Sequence, residues 1–204
     1  MELTEGTLML SRELSELDRA VIEFCSVLDE CGIDHVIVSG YVAILTGRSR
    51  ATEDIDIILE PRLSASELEK LAHSLDENGY WGMAMPLADL PEMLTSDDRI
   101  RVAEEDQFYP NFEIWLASND VERIALSTSI FAELGGARLA ISSIELQIAY
   151  KLRLAQASGA VSGKDFEDAL HLYLTFEDEL NTEKLERCVN DLGVSNHYAR
   201  LRGI

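Results

Sequence analysis

Asp54 and Asp56 flank a single isoleucine in Asp54-Ile55-Asp56-Ile57, a segment in which acidic and apolar residues alternate. In an extended strand, residues two apart project from the same face, roughly 6.5 to 7 Å apart along the backbone, while Ile55 and Ile57 turn to the other face. Two carboxylates on one face repel and raise each other's pKa unless positive charge lies between them. Oxygen-only donors suit a hard divalent cation, magnesium first and manganese as its substitute. A half-buried strand with its polar face in water gives the same alternation, so the pair takes its meaning from its neighbours.

Those neighbours lie just upstream. His35-Val36-Ile37-Val38 reads as a buried strand that ends at Ser39-Gly40, and the apolar run Tyr41 to Leu45 reads as the helix that follows. A strand, a small-residue turn and a helix N-terminus together present free backbone N–H groups, a suitable seat for phosphate. Gly40 lacks a Cβ and permits close approach, although many such turns carry glycine for packing alone.

Turn and acids together resemble the nucleotidyltransferase superfamily, whose signature runs apolar residue, Gly, Gly or Ser, a short spacer, and an acid-apolar-acid strand. Val38, Ser39, Gly40, the thirteen residues Tyr41 to Glu53, and Asp54-Ile55-Asp56 fill those places. The chain departs from the pattern at Ser39, which replaces the first glycine. The stretch from Gly47 to Asp56, with Arg48, Arg50 and Thr52, is similar to the small prokaryotic branch that includes the AbiEii-type toxins. The resemblance implies a mixed α/β (α+β) sheet flanked by helices. It also implies a third carboxylate on an adjacent strand, where Glu113 in Asn111-Phe112-Glu113-Ile114 is the candidate.

The resemblance extends through Ser142 to Leu152 and Gly163 to Leu170, where Lys151, Lys164, Asp165 and Asp168 match the branch's helical lysine and its Lys-Asp pair with a second Asp. It then implies catalytic roles for Asp54, Asp56, Glu113 and Lys151, with Asp54, Asp56 and Glu113 as metal ligands. Ser39, Gly40, Arg50, Thr52, Lys164 and Asp165 would contact the nucleotide. The implied activity is magnesium-dependent transfer of a nucleoside monophosphate from a nucleoside triphosphate to a hydroxyl of RNA, protein or a small molecule. A toxin role would add a cognate antitoxin partner. The alternative is a noncatalytic nucleotide-binding or toxin-antitoxin module on the same fold. Read without the resemblance, Asp165 and Asp168 are acids three apart near a helix start, where the dipole favours them.

The elements that must hold these residues are legible in outline. Leu14, Leu17, Val21, Ile22, Cys25 and Leu28 predict an amphipathic helix over Ser11 to Cys31 that stops at Gly32. Ser64 and Glu67 form a capping-box pattern that opens a helix ending near Asn78-Gly79. Pro86 and Pro91 break Tyr80 to Leu94, which reads as a lid or substrate loop. Arg99 to Ala103, Phe112 to Leu116 and Ala137 to Ile141 read as strands. From Ile144 the chain reads as helical, interrupted at Ser158-Gly159 and Ser162-Gly163. An α/β domain over 1–142 with a helical region over 143–204 packed on it is the expected division. Trp81 and Trp115 suit either the core or stacking on a base.

Composition narrows the partners. With 38 acidic against 17 basic residues the formal charge is −21, which opposes a broad nucleic-acid or anionic-membrane surface. A small basic rim from Arg48, Arg50, Lys151, Arg153 and Lys164 would still suffice for a triphosphate. No apolar run of membrane-spanning length and no leader-like amino terminus are evident, so a cytoplasmic protein is expected. Cys25, Cys31 and Cys188 lack a Cys-x-x-Cys spacing, and His35, His73, His171 and His197 are scattered, so neither a disulfide framework nor a zinc site is indicated. Only Lys70, Lys151, Lys164 and Lys184 supply lysine among the 17 basic residues, a bias that suits a high-salt cytoplasm. Salt that screens this self-repulsion should therefore raise the melting temperature in molar KCl above that in dilute buffer. An unchanged or lower value in a thermal scan would contradict the reading.

Overall fold

The β-branched runs in the middle of the chain form the centre of a mixed sheet in the computed structural model, which describes residues 1–4, 6–159 and 163–204. The first half comprises β1 (Glu2–Thr4), β2 (Thr7–Leu10), α1 (Glu16–Cys31), β3 (His35–Val38), α2 (Gly40–Leu45), β4 (Asp54–Leu59), α3 (Ala65–Glu77), β5 (Tyr80–Gly82) and α4 (Leu90–Thr95). The second comprises β6 (Ile100–Glu104), β7 (Asn111–Leu116), α5 (Asp120–Ser127), β8 (Ile130–Leu134), β9 (Ala137–Ile141), α6 (Ile144–Ala157), α7 (Lys164–Thr175), α8 (Thr182–Asp191) and α9 (Ser195–Leu201). Among the described residues nine strands lie in the order β1-β2-β8-β9-β3-β4-β7-β6-β5. β4 runs antiparallel to β3 and parallel to β7.

The two faces of the central strands have different duties. Ile37, Ile55, Ile57, Phe112 and Ile114 belong to the large core, together with Phe24 and Leu28 of α1 and Leu68 and Leu71 of α3. Val36, Val38, Ile58 and Trp115 face the other way into a smaller cluster with Ala125 of α5 and Leu146 of α6. The large core continues without a break into Leu152, Ala169, Leu185 and Leu201 of the carboxyl-terminal helices.

Local chemistry sets the boundaries. α1 begins at Glu16, five residues later than the periodicity suggests, because Ser15 caps it in a reciprocal pair with Asp18; Gly32 ends it in the left-handed region at φ 76°. Ser64 and Glu67 form the expected box at the start of α3. Tyr80 to Leu94 is not a lid. It contains β5, a 3₁₀ turn (Leu87–Asp89) and the start of α4, and the fully buried Leu90 anchors it in the large core, on the face opposite Asp54 and Asp56. Pro91 falls in the first turn of α4, where its missing N–H costs no helical bond. Ser158 and Gly159 follow the end of α6 as expected, whereas Ser162 lies outside the described residues.

Asp18 ties α1 to α2 and to the residues just before α1. Fully buried, it accepts the Tyr41 hydroxyl at 2.8 Å, the Ser15 backbone N–H at 2.8 Å and the Arg12 Nη2 at 2.9 Å. Burial alone would raise its pKa, but the bonds from Arg12, Ser15 and Tyr41 together outweigh that and hold the carboxyl well below the usual range. The stabilisation is complete above the unfolded-state value of about 3.9 and is lost as pH falls toward the lower folded-state value. Asp18→Ala should cost roughly 3 kcal/mol at pH 7, at the low end for a broken buried ion pair because Arg12 is partly exposed. Its deficit should shrink below about pH 4 in urea titrations, and a constant deficit from pH 7 to pH 2 would contradict this account.

Candidate active site

Strand register brings the carboxylates together. β3 places Val38 opposite Asp56, and β7 places Glu113 opposite Asp56 and Asn111 opposite Asp54. Partners directly opposite share a face, with strands about 4.8 Å apart, so Asp54, Asp56 and Glu113 form one acidic group on two adjacent strands. Their neighbours Ile55, Ile57, Phe112 and Ile114 are buried on the opposite face.

Two half-exposed arginines, Arg101 of β6 and Arg99 just before it, balance this charge. Arg101 Nε donates to Glu113 Oε1 at 3.3 Å and its Nη2 lies 3.8 Å from Asp54 Oδ2, while Arg99 Nη1 donates to Glu113 Oε2 at 3.3 Å. Asn111 Nδ2 donates to Asp54 Oδ1 at 2.9 Å. Burial raises the Asp56 carboxyl above the ordinary range, and Glu113 and Asp54 push the same way; the Ser39 hydroxyl and Lys151 oppose them without cancelling the rise. As the side chains stand, no three Asp, Glu, His or Cys groups among the described residues converge closely enough to hold an ion.

The turn beside Asp56 is held from two directions. Ser39 adopts φ 62° and ψ −127°, a conformation that glycine takes without strain, and the Gln147 amide of α6 donates to its carbonyl at 2.7 Å. A Cβ on Gly40 would lie 3.1 Å from an Arg50 Nη2 and 3.2 Å from Thr52 Oγ1, so these two side chains occupy the space that glycine leaves. Ser39, Gly40, Arg50 and Thr52 thus form one group next to the carboxylates. Lys151 is 2 % exposed, with Nζ 2.9 Å from Asp165 Oδ1 and 3.1 Å from Asp168 Oδ2. It acts within a buried ion cluster whose field reaches Asp56. Lys164 is exposed at the first position of α7 and joins neither group among the described residues.

Beside Asp56 and Ser39 opens a cavity of about 610 Å³ between α5 and α6. Val38, Ile58 and Trp115 form its floor, while Leu146, Tyr150 and Leu154 of α6 line one wall. Arg99 and Arg153 border it, and the Arg99 guanidinium lies 4.0 Å from the centroid of the Trp115 ring. Trp81 is elsewhere, donating to the Glu104 carbonyl at 3.1 Å. Residues that sequence patterns alone did not single out are Arg99, Arg101, Asn111 and Gln147. The alternation of Ile100-Arg101-Val102 would have revealed Arg101 only once β6 was registered against β7.

No family model matches the sequence, and no curated protein sequence matches it. Solved structures do. The crystal structure of ANT(2")-Ia in complex with adenylyl-2"-tobramycin superposes with a TM-score of 0.59 at 15% identity, over 87% of this chain and 97% of that one. An antigenic nucleotidyltransferase-like protein from Paracoccidioides brasiliensis gives 0.56 at 15% identity, over 94% and 95%. The chain has the nucleotidyltransferase fold. A solution structure of ANT(2")-Ia agrees, with a TM-score of 0.53 at 16% identity over 93% of this chain and 97% of that one. On this nucleotidyltransferase fold the acids, the turn and the cavity share one side of the sheet.

The raised Asp56 pKa carries a stability signature. Asp56→Asn mimics the protonated form, so in chelator-containing buffer the variant should melt above the wild type at pH 8 and match it below about pH 4, where the wild-type carboxyl is neutral in both states. A wild type that remains the more stable at pH 8 would contradict the electrostatic reading.

Proposed function

We propose that this chain transfers a nucleoside monophosphate from a nucleoside triphosphate to a hydroxyl on a small molecule. The observation that carries the proposal is the register that sets Glu113 beside Asp56, with Ser39-Gly40 at the end of the neighbouring strand. The donor set fits a hard divalent cation: its side chains offer only oxygen, they lie on one face, and the ionisation of Asp56 is opposed by its own neighbours. Asp54, Asp56 and Glu113 would hold magnesium or manganese, with the half-exposed Arg101 giving way. A bound ion would supply the positive charge that neutralises the phosphate oxygens in the displacement.

The chain's own groups account for the remaining needs. Ser39 and Gly40 would face the β- and γ-phosphates, with Arg50 and Thr52 packed on that turn. The acceptor oxygen bonds to the α-phosphorus as the bond to the β-phosphate bridging oxygen breaks; pyrophosphate leaves, and the hydroxyl proton passes to Glu113. Lys151, through its field at Asp56, favours the ionised carboxylate. Asp165 would act through Lys151, to which it is bonded, whereas Lys164, exposed at the start of α7, would take no part in this reading.

A small acceptor is supported by a cavity of about 610 Å³ and by a charge of −21, which repels polyanions. It is also supported by a neighbour of the same fold that is solved in complex with adenylyl-2"-tobramycin. A second reading rests on the stretch Gly47 to Asp56 and the Lys164-Asp165 pair, which resemble the AbiEii-type toxins. In that reading the acceptor is tRNA or protein, and a cognate antitoxin protein restrains the enzyme in the cytoplasm.

Incubation with each α-labelled nucleoside triphosphate, magnesium and a cell extract separates these cases. Label should enter the small-molecule fraction, chelator should abolish incorporation, and Asp54→Asn or Asp56→Asn should reduce it by about 10²–10³-fold or more. Label in tRNA or protein would favour the toxin reading. Incorporation unaffected by chelator and by both variants would overturn the assignment.

A further inference from the structure

Three cations from two distant segments converge on one carboxylate. Asp168, in the second turn of α7, has no exposed surface. Arg48 Nε lies 2.7 Å from its Oδ1, Lys151 Nζ lies 3.1 Å from its Oδ2, and Arg50 Nη1 donates to that same oxygen. One turn further along α7, His171 Nε2 meets the Thr46 carbonyl at 3.2 Å. The segment between α2 and β4 is therefore fastened to α7 at both Thr46 and Arg48–Arg50, though it is distant from α7 in sequence.

What this segment presses on gives the fastening a consequence. The Arg50 guanidinium and the Thr52 hydroxyl fill the space above Gly40, and Thr52 Oγ1 also donates to the Asp54 carbonyl at 3.0 Å. The chain of contact runs Asp168, Arg50, Gly40 on one branch and Asp168, Lys151 on the other. A side chain that served only to neutralise one buried lysine would need a single cation; Asp165 already bonds Lys151. Gathering two arginines from the turn-to-strand segment as well couples α7 to the geometry of the turn.

We propose that Asp168 is a positioning residue for nucleotide binding: it holds Arg50 against the Gly40 turn and fixes Lys151 in the buried cluster behind it, without itself touching substrate. The kinetic half of this inference rests on the transfer activity proposed above; the structural half rests on the contacts alone.

Asp168→Asn and Arg50→Gln test it, singly and combined. Hydrogen exchange on the nucleotide-free protein should be faster by about tenfold or more across residues 46–53 in each folded variant and unchanged across 100–116. Should three cations around a neutral amide prevent Asp168→Asn from folding, Arg50→Gln, which leaves Asp168 paired with two cations, decides by the same measurement. In nucleotide transfer, KM for the triphosphate should rise about tenfold in either single variant with kcat changed far less. The double variant should be little worse than Asp168→Asn alone, since Arg50→Gln removes only one of the two branches that run through Asp168. Unchanged exchange at 46–53, or KM effects that multiply in the double variant, would overturn the proposal. A wild type with no triphosphate affinity would refute the transfer activity and the kinetic half with it, while exchange at 46–53 still decides whether Asp168 holds the turn.

Discussion

The register of β4 between β3 and β7 is the constraint on which the rest depends. Because strand side chains alternate, a slip of one residue would turn Asp54 and Asp56 into the large core and bring Ile55 and Ile57 to the surface. Two unpaired carboxylates in that core would each cost several kcal/mol, so packing of Ile37, Ile57 and Ile114 against α1 and α3 holds the register as firmly as it holds the fold. The acidic face is thus an obligatory by-product of burying the isoleucines. Glu113 inherits its place beside Asp56 by the same logic on the neighbouring strand.

The opposing tendencies at this face fit a binding surface better than a stability element. Burial and two like charges raise the Asp56 carboxyl, and the arginines that offset the group are themselves half exposed and screened. Asp18 shows the contrast within the same chain: Arg12, Ser15 and Tyr41 surround it with donors and keep it ionised. One carboxylate is satisfied by the fold; the other is left in want of positive charge. Ser39 adds a second local cost, a left-handed backbone at a residue that carries a side chain, and Gln147 braces it from α6.

Much of this was legible in residue order where the signal is local. Alternation in Asp54-Ile55-Asp56 and Phe112-Glu113-Ile114 gave the faces, Ser64 with Glu67 gave the start of α3, and Gly40 marked the turn. Features that depend on distant pairing were not legible. The amino-terminal hairpin β1–β2 is too short for a periodic signal and exists because β8 offers it an edge. The segment from Tyr80 to Leu94 looks loop-like because of its prolines, yet Leu90 and Leu94 are drawn into the core by α3 and β6. Lys151 reads from residue order as part of a basic rim for a triphosphate, and only the packing of α7 on α6 shows it paired with Asp165 and Asp168.

On the proposed function, Asp54, Asp56 and Glu113 would together hold a divalent cation on one face of the sheet. Anomalous scattering from a crystal grown with manganese and a nonhydrolysable nucleoside triphosphate tests it most directly. Manganese should lie within about 2.0–2.3 Å of oxygens from these side chains, with Arg101 moved off Asp54 and the triphosphate beside Ser39-Gly40. Nucleotide bound with no metal at these three residues, or manganese bound only elsewhere, would contradict it.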